Sequence, residues 1–405
     1  MFLEHSERAI GGVAADEPGS GHPPAPRPLR IAQIGPLYER IPPNLYGGTE
    51  RVVSYLTEEL VRRGHEVTLF GAGDSVTSAK LISGFPRSLR LAGLSDSGPA
   101  LHLPMLADIY EHARRFDIIH SHLDYWCFPF TRLSPTPTIV TMHGRLDLDA
   151  LKPIYDRFTH VPLVSISDSQ RIPLPLMNWV GTAYHGLPPE LLEFNPKPGR
   201  YLAFLGRICP EKRVDIAIAV ALKAGIPLKI AAKVDPADRE YFEEIIRPRL
   251  FSPDVEFIGE IEEHEKSEFM GNALALLFPI DWPEPFGLAM IESLACGAPV
   301  VTRPCGSVPE IVSHGKTGFI ATSVDDLVAA VKRVDQISRA DCRAEFESRF
   351  TITHMADRYE QLYCGLIARE RRNRYPESFV RDGVTFVTRN ENGTEASLAA
   401  AGSAD

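Results

Sequence analysis

The sequence predicts an α/β protein made of two doubly wound, Rossmann-like units in series, each with a parallel sheet covered by helices on both faces. Its 405 residues exceed the roughly 250–300 residues that a single hydrophobic core usually reaches, so two domains are expected. Short apolar runs, typical of buried parallel strands, alternate with segments of helical spacing. This alternation starts at Leu29 and begins again near Tyr201.

In the first unit, a strand is predicted at residues 29–34 and is followed by a long loop rich in glycine and proline. Residues 49–64 then place apolar side chains on one helical face and end in Gly64, which favours helix termination. Four further apolar runs are predicted strands of the same sheet, at residues 67–70, 117–121, 138–142 and 161–166.

The second unit repeats this order, with a strand at residues 201–205 and a helix at 213–224. The remaining elements are strands at 228–232, 255–257, 273–278 and 299–302 and helices at 240–246 and 264–272. The two units join near residues 185–198. Because ligands of open α/β sheets bind beyond the carboxyl ends of the strands, functional residues are expected in the loops there.

Charge and cysteine content exclude several classes of function. The chain carries 53 Asp and Glu against 43 Lys and Arg, a net charge of −10. Nucleic acid is therefore not an expected partner, because phosphate-backbone binding needs a cationic surface. The six cysteines form no C-x-x-C pair, so neither a zinc site nor a redox pair is indicated, and reduced thiols fit a reducing cytosol.

A cytoplasmic protein is expected. No apolar run approaches the roughly 18–20 residues of a membrane span, and the N-terminus lacks the charged and apolar regions of a secretory signal. A cationic segment near the end of the last helix could touch anionic lipid, but a solvated helix end is the favoured interpretation. It contains Arg369, Arg371, Arg372 and Arg374. Membrane contact is thus expected to be peripheral at most.

The first motif is Gly47-Gly48-Thr49, which precedes a predicted helix. Two glycines let the backbone approach a ligand closely, and a helix N-terminus offers free N–H groups to an anion. The alternative is an ordinary loop in which Thr49 caps the helix. The dinucleotide-binding pattern G-x-G-x-x-G is absent.

The second motif is Gly206-Arg207, which follows a predicted strand, with Lys212 five residues further on. Two cations beyond a strand end could neutralise a diphosphate, or they could be solvated charges at a helix start. Cations at a helix N-terminus are unfavourable unless an anion is bound, which favours the first interpretation.

The third motif is the stretch Glu284-Pro-Phe-Gly-Leu-Ala-Met-Ile-Glu292, after the strand at 273–278. Proline favours a first helical turn, and a helix is predicted from about residue 286 to 296. The two carboxylates could accept hydrogen bonds from sugar hydroxyls; the alternative is a capping Glu284 and a solvated Glu292. The free N–H groups of the first turn would point into the mouth of the sheet, and they belong to Phe286, Gly287 and Leu288.

These motifs resemble those of the retaining glycosyltransferases of family 4, whose E-x7-E signature matches Glu284 and Glu292. The resemblance covers about residues 29–370 and includes Gly47-Gly48, Gly206-Arg207 with Lys212, and the segment from Gly306 to Val312. It implies the GT-B fold, in which two Rossmann-like domains face a central cleft.

The expected division of the chain follows from this resemblance and from composition. Residues 29–186 would form an acceptor domain, 187–358 a donor-binding domain, and 359–375 a helix that packs back towards the first domain. Residues 1–28 are expected to be a disordered leader and 376–405 a loose tail.

The resemblance also implies roles for single residues. Arg207 and Lys212 would hold the distal phosphate of the donor, together with the backbone amides near Gly47 and Gly48 and in the first turn at Phe286, Gly287 and Leu288. Glu284 would contact the donor sugar, Glu292 the ribose, and His143 would lie near the transferred sugar. The sequence departs from the family at His185-Gly186, where Asn-Gly is common, and at Lys233, where glycine is usual.

The predicted activity is transfer of a hexosyl group from a nucleotide sugar, with UDP-hexose such as UDP-glucose favoured over GDP-hexose. Neither a cofactor nor a metal is required, and the acceptor would be a saccharide, a small molecule or a lipid-linked group. Retention is implied, by front-face attack in which the leaving phosphate takes the acceptor's proton. The alternatives are a nucleotide-sugar 2-epimerase on the same fold and a non-catalytic nucleotide-sugar binder.

Two other polar groups have simpler interpretations. His120 and His122 lie on one strand face and could hold a metal with Asp124, although an acceptor-facing loop is favoured. Asp168 and Arg171 are expected to cap a helix start rather than to line the cleft.

Overall fold

The computed structural model describes residues 27–374, 379–381 and 384–386. It confirms two parallel sheets of Rossmann-like type. The predicted leader lies outside the described residues except for residues 27 and 28. The predicted tail lies outside them except for two short antiparallel strands, β14 (Phe379–Arg381) and β15 (Val384–Phe386), which are numbered last in chain order.

The first sheet has seven strands. They are β1 (Arg30–Ile34), β2 (Glu66–Ala72), β3 (Lys80–Phe85), β4 (Ile118–Ser121), β5 (Thr138–Thr141), β6 (Leu163–Ser165) and β7 (Trp179–Thr182). All pairs are parallel, in the order β3-β2-β1-β4-β5-β6-β7. The edge strands β3 and β7 were not predicted, because their side chains are mostly exposed or half-buried and give no continuous apolar run.

The second sheet has six strands. They are β8 (Tyr201–Ile208), β9 (Leu228–Val234), β10 (Val255–Gly259), β11 (Ala273–Phe278), β12 (Val300–Thr302) and β13 (Gly318–Ile320). They pair in parallel in the order β10-β9-β8-β11-β12-β13. The change of direction along each sheet puts the loops after β1 and β4, and after β8 and β11, at the switch points where ligands bind.

Helices cover both sheets. In chain order they are α1 (Gly48–Arg62), α2 (Gly98–Glu111), α3 (Phe128–Thr131), α4 (Lys152–Arg157), α5 (Val214–Ala224), α6 (Arg239–Tyr241), α7 (Lys266–Gly271), α8 (Leu288–Ala295), α9 (Val308–Ile311), α10 (Val324–Val331), α11 (Arg339–Arg349) and α12 (Ile352–Arg374). The predicted helix at 240–246 is α6 followed by a π-helical turn at Phe242–Ile246.

Three helices start differently from the prediction. Gly47 is the N-cap residue of α1 and no side chain caps that helix, so the capping role expected for Thr49 is wrong. The helix expected from residue 286 begins at Leu288, because Gly287 has a left-handed backbone with φ of 83°. Arg213 is also left-handed, with φ of 54°, and α5 therefore begins one residue later than predicted.

The 23-residue helix α12 closes one face of the first sheet. The Tyr359 hydroxyl lies 2.9 Å from Oγ1 of Thr141 in β5. The Tyr363 hydroxyl lies 2.7 Å from Nδ1 of the fully buried His120. Helix α12 therefore belongs to the hydrophobic core of the N-terminal unit.

The chain crosses between the two units twice, and the two crossings are in contact. The Leu187 amide donates to Phe350 O at 2.9 Å, and the Ile352 amide donates to Leu187 O at 2.8 Å. A Cβ on Gly186 would lie 2.1 Å from Thr351 O. Only glycine lets the two segments approach so closely.

In the part of the chain that the structure describes, no helix combines the length and the apolar character needed to cross a lipid bilayer.

Replacing Tyr363 with Phe should destabilise the protein by about 1–3 kcal/mol, because Nδ1 of His120 would then be buried without a hydrogen-bond partner. Urea unfolding followed by circular dichroism measures this loss. The matched control is Tyr125→Phe, at a partly exposed tyrosine, which should change the free energy of unfolding by less than about 0.5 kcal/mol. Equal stability of the two variants would contradict the role given to the Tyr363–His120 bond.

Candidate active site

A cavity of about 770 Å³ lies between the two sheets, at the carboxyl ends of their strands. The first domain contributes the loops after β1, β4 and β5 and the start of α1; the second contributes the loops after β8, β9 and β11 and the start of α8. The structure brings every residue predicted for the site to this cavity: Gly47, Gly48, His143, Arg207, Lys212, Glu284, Phe286, Gly287, Leu288 and Glu292.

Glu284 is held by two donors. Its Oε2 accepts a hydrogen bond from Lys212 Nζ and another, of 2.9 Å, from Trp282 Nε1. The Lys212 ammonium also lies 5.0 Å from the ring centroid of Phe278. Only 8% of the Glu284 surface is exposed, so the pairing with Lys212 offsets the cost of burying the carboxylate. Glu284 is therefore an ion-pair partner in the cleft rather than a helix cap.

The loop before α8 is fixed from behind by Ser307. The Ser307 amide donates to Glu284 O at 2.9 Å, and its hydroxyl donates to Phe286 O at 2.8 Å. Because Gly287 takes up the left-handed turn, the first amides of α8 face the cavity, where the positive end of the helix dipole favours an anion.

Glu292 is buried rather than solvated, with 3% of its surface exposed. Its Oε1 accepts a hydrogen bond of 2.6 Å from Lys266 of α7. Lys266 Nζ also lies 3.3 Å from Glu263, which forms an ion pair with Arg51 of α1. This chain of charges links α8 of the second domain to α1 of the first.

Lys266 was missed in the sequence. The spacing of residues offered a signal, because Lys266, Phe269 and Met270 fall on one face of a helix. The structure shows that all three are buried on that face of α7. A lysine on an apolar face needs a buried anion as partner. Burial lowers the pKa of Lys266, and Glu292 opposes that shift.

Two more cations reach the cavity from the second domain. Arg207 is 38% exposed and its Nε lies 3.4 Å from Oδ2 of Asp238. Lys233 replaces the glycine usual in family 4 and lies 5.4 Å from the ring centroid of Tyr46, in the glycine-rich loop of the first domain. The departure from the family therefore makes a contact across the cleft.

Three histidines form a connected group on the N-terminal side. His122 Nε2 lies 3.1 Å from Gln33 Oε1, which can only accept, so this nitrogen carries hydrogen. His122 Nδ1 then accepts from His143 Nε2 at 2.8 Å. The remaining nitrogen of His143, Nδ1, is left as a hydrogen-bond acceptor. The His143 ring stacks on His185 with 5.3 Å between centroids.

These rings are neutral at pH 7. Burial lowers the pKa of His143 to about 3, and it lowers the pKa of His122 and of His185 well below the usual value. Asp124 accepts a hydrogen bond from the His143 amide at 3.2 Å, and burial raises its pKa to about 6. Among residues 27–374 and the two hairpin strands, no group of three or more His, Cys, Asp or Glu side chains is placed to hold a metal ion.

The capping role expected for Asp168 is wrong. Its side chain makes no capping hydrogen bond to the turn at Ser169–Arg171. Glu310 of the second domain accepts from the amides of Asp168 and Ser169, both at 2.8 Å. Arg171 instead donates to Ser165 Oγ at 2.7 Å. Glu310 of the second domain therefore caps this turn of the first domain. The residue pattern around Asp168 alone could not show that contact.

Two family models match the chain. The model described as Glycosyltransferase Family 4 matches residues 46–220, and the one described as Glycosyl transferases group 1 matches residues 193–349. Together they span residues 46–349, which include every strand of the two sheets except β1.

Single proteins are similar over most of the chain. A D-inositol 3-phosphate glycosyltransferase of Mycolicibacterium smegmatis is 23% identical over 399 residues, which covers 83% of this chain and 90% of the relative. The sucrose-phosphate synthase of Thermosynechococcus elongatus superposes with a TM-score of 0.69 at 18% identity, over 84% of this chain and 100% of that chain. The Anabaena protein HepE in complex with UDP-glucose superposes with a TM-score of 0.65 at 15% identity, over the same shares.

Acidification should destabilise the protein through its buried neutral histidines, and His185→Asn tests this at one site. In the native state the pKa of His185 is well below the unfolded value. As pH falls below about 6.5 the unfolded chain therefore binds a proton that the native state does not, and stability is lost. Between pH 6.5 and 5.5, His185 should lower the free energy of unfolding of the wild type by about 1 kcal/mol. The His185→Asn variant should not show this loss.

The measurement is urea unfolding of both proteins at the two pH values. Comparison with the wild type is needed because Asp124 and Glu50, whose pKa values are raised to about 6 and about 7, act in the opposite direction. His112→Asn, at an exposed residue, is the control and should keep the wild-type pH dependence. If the stability of His185→Asn depended on pH as the wild type does, the role given to the buried, neutral His185 would be refuted.

Proposed function

The chain belongs to glycosyltransferase family 4 and has the GT-B fold, and from this we propose that it moves a hexosyl group from a nucleoside-diphosphate sugar to an acceptor hydroxyl with retention at the anomeric carbon. UDP-glucose is the favoured donor and a GDP-hexose the second choice. The observation that carries the proposal is the convergence of Arg207, Lys212 and the first turn of α8 on one cavity.

The diphosphate of the donor would lie between the two cations and the amides of Phe286, Gly287 and Leu288. A guanidinium, an ammonium and the positive end of a helix are the groups that proteins use to hold phosphate oxygens. Gly47 and Gly48, at the start of α1, approach the same space from the other domain: a Cβ on Gly48 would lie 3.5 Å from Leu288 Cδ1 of α8. Phosphate binding would therefore draw the two halves of the cleft together.

The two carboxylates are suited to sugar hydroxyls. Glu284 uses Oε2 for Lys212 and Trp282, and Glu292 uses Oε1 for Lys266. Within the described residues, the second oxygen of each carboxylate makes no hydrogen bond. These oxygens can accept from the donor sugar and from the ribose respectively. The hydrogen bonds from the paired lysines fix the direction of both carboxylates.

In the transfer step the bond between the anomeric carbon and the diphosphate oxygen breaks. The acceptor oxygen forms its bond to the same face of that carbon, and its proton passes to an oxygen of the leaving phosphate. The products are the glycosylated acceptor and a nucleoside diphosphate. Arg207 and Lys212 stabilise the charge that develops on the diphosphate, so the proposal requires no metal ion.

His143 fits this scheme as a binding residue. A ring whose pKa is lowered to about 3 is a weak base. Its tautomer, fixed by His122, leaves Nδ1 to accept a hydrogen bond from a hydroxyl of the transferred sugar. The acceptor's proton is therefore assigned to the leaving phosphate rather than to the imidazole.

The comparisons support the donor class. HepE, with the same fold, was solved with UDP-glucose, and both family models that match this chain describe glycosyltransferases. UDP-glucose is accordingly the first donor to test.

Lys212→Ala and Arg207→Ala should each lower kcat/KM for the donor by about 100-fold or more, because each removes a cation that stabilises the leaving diphosphate. Release of nucleoside diphosphate, followed by chromatography, measures the effect. Lys223→Ala is the matched control, at an exposed lysine of α5 that pairs with Asp325, and it should keep wild-type kinetics. Wild-type rates in either cleft variant would refute the phosphate-binding role.

The activity itself is tested with UDP-glucose and GDP-hexoses, with and without acceptor candidates and with and without EDTA. We expect an α-linked product from an α-linked donor, by proton NMR, and rates that EDTA leaves unchanged. A β-linked product would contradict retention. Appearance of the 2-epimer of the donor without an acceptor would instead favour the isomerase.

A further inference from the structure

Part of the cavity is formed by side chains of the first domain that the proposed phosphate site does not use. We call it the N-terminal wall. Its members that matter here are Tyr38, Glu50, Arg90, His102, Tyr125 and Trp126. None of them belongs to a motif that the donor requires, and Glu50 has no role in the scheme above.

Glu50 is a buried carboxylate without a cationic partner of its own. Only 7% of its surface is exposed, and it lines the cavity in the first turn of α1. A Cβ on Gly47 would lie 3.2 Å from its Oε2, which places the carboxylate directly beside the glycine loop. The backbone amides of Glu50 and Glu39 point towards it, but within the described residues no side chain donates to it.

Glu284 and Glu292, the two comparably buried carboxylates of the cavity, each have a lysine donor. An ionised carboxylate can accept about four hydrogen bonds, and within the described residues only two backbone amides point towards Glu50. Glu50 therefore retains acceptor capacity that a hydroxylated ligand in the cavity can use.

The cations of the first domain that line the cavity are already paired. Arg90 bonds Glu39 at 2.8 Å, Arg145 bonds Asp147 at 2.7 Å, and Arg51 pairs with Glu263. The histidines of this region are neutral, since burial also lowers the pKa of His102. An anionic acceptor would meet no unpaired cation here, and it would lie close to Glu50.

Aromatic rings complete the N-terminal wall. The centroids of Tyr38 and Trp126 are 6.4 Å apart, and those of His102 and Trp126 are 4.6 Å apart with the rings nearly perpendicular. Tyr38 and Trp126 are partly exposed at the cavity. Amphipathic rings beside a few fixed polar groups are typical of sites that bind small ligands with both apolar and hydroxyl surfaces.

We propose that the acceptor is an uncharged polyhydroxylated ring, such as a sugar or a cyclitol, that lies against Tyr38 and Trp126 and donates a hydroxyl hydrogen bond to Glu50. This rests on the proposed function, because it assigns the acceptor side of the same cleft. Glu50 binds and orients the acceptor; the proton of the reacting hydroxyl still passes to the leaving phosphate.

The first experiment compares neutral acceptors with their phosphorylated forms, using the full-length enzyme and UDP-glucose. Free hexoses, disaccharides and inositol are each paired with the corresponding phosphate ester, and products are identified by mass spectrometry. We expect kcat/KM to be at least tenfold higher for the neutral member of a pair. Preference for the phosphate esters, or donor hydrolysis with transfer to no neutral ring, overturns the acceptor proposal while the donor assignment stands.

Failure of the underlying function would look different: the wild-type enzyme would neither bind nor turn over any nucleotide sugar. Calorimetric titration with UDP-glucose and with UDP, done before the acceptor screen, separates this outcome from failure of the acceptor proposal.

The second experiment uses Glu50→Gln, which keeps the shape of the side chain. We expect the acceptor KM to rise at least tenfold, while the Kd for UDP stays within twofold of wild type and the melting temperature within about 2 °C. Glu66→Gln, at an exposed glutamate of the same domain, is the matched control and should behave as wild type. An unchanged acceptor KM in the Glu50 variant overturns the proposal.

The pH dependence of kcat/KM for the acceptor distinguishes a binding role of Glu50 from a purely structural one. Burial raises the pKa of Glu50 to about 7; nearby Arg90 opposes this shift and Glu39 adds to it. Because the ionised carboxylate is the hydrogen-bond acceptor, kcat/KM for the acceptor should fall as pH drops through about 7 in the wild type. The fall should be absent in Glu50→Gln, and its persistence there would contradict the role of Glu50.

Discussion

Two ion pairs buried in the cleft, Glu284–Lys212 and Glu292–Lys266, fix the elements of the second domain that surround the cavity. An unpaired buried charge would cost several kcal/mol. The loop before α8 is therefore tied to the turn after β8, and α8 itself is tied to α7. Through Glu263 and Arg51 the same charges extend to α1 of the other domain. The position of the α8 N-terminus, on which the proposed phosphate site depends, follows from these ion pairs.

The two domains present different kinds of group to the cavity. The second domain presents Arg207, Lys212 and the α8 amides to the cavity, whereas the first presents neutral histidines, aromatic rings and Glu50. Burial keeps those imidazoles uncharged, so they act through hydrogen bonds of fixed direction. The phosphate-binding groups proposed for the second domain suit an anionic donor, and the hydrogen-bonding groups and rings of the first domain suit a hydroxylated acceptor.

The two domains are also joined behind the cleft. The segment at Leu187 hydrogen-bonds to the chain on both sides of Thr351, and α12 then packs on the first sheet through Tyr359 and Tyr363. Glu310 of the second domain caps a turn of the first. The first domain therefore depends on residues from the end of the chain for its core.

The sequence by itself determined the two parallel sheets, most of the central strands and which residues line the cavity at the proposed phosphate site. Buried parallel strands are continuous apolar runs, and the motifs lie at their carboxyl ends, so both leave a local signal. The edge strands β3 and β7 left none, because the side chains of β3 are exposed or half-buried and those of β7 are mostly half-buried. Only the tertiary structure decided which charges meet: Lys266 with Glu292, His122 with His143, and Glu310 with the amides of Asp168 and Ser169. These partners lie on different elements, and a pattern of residues along the chain holds no information about contacts that form when two sheets and two domains pack together.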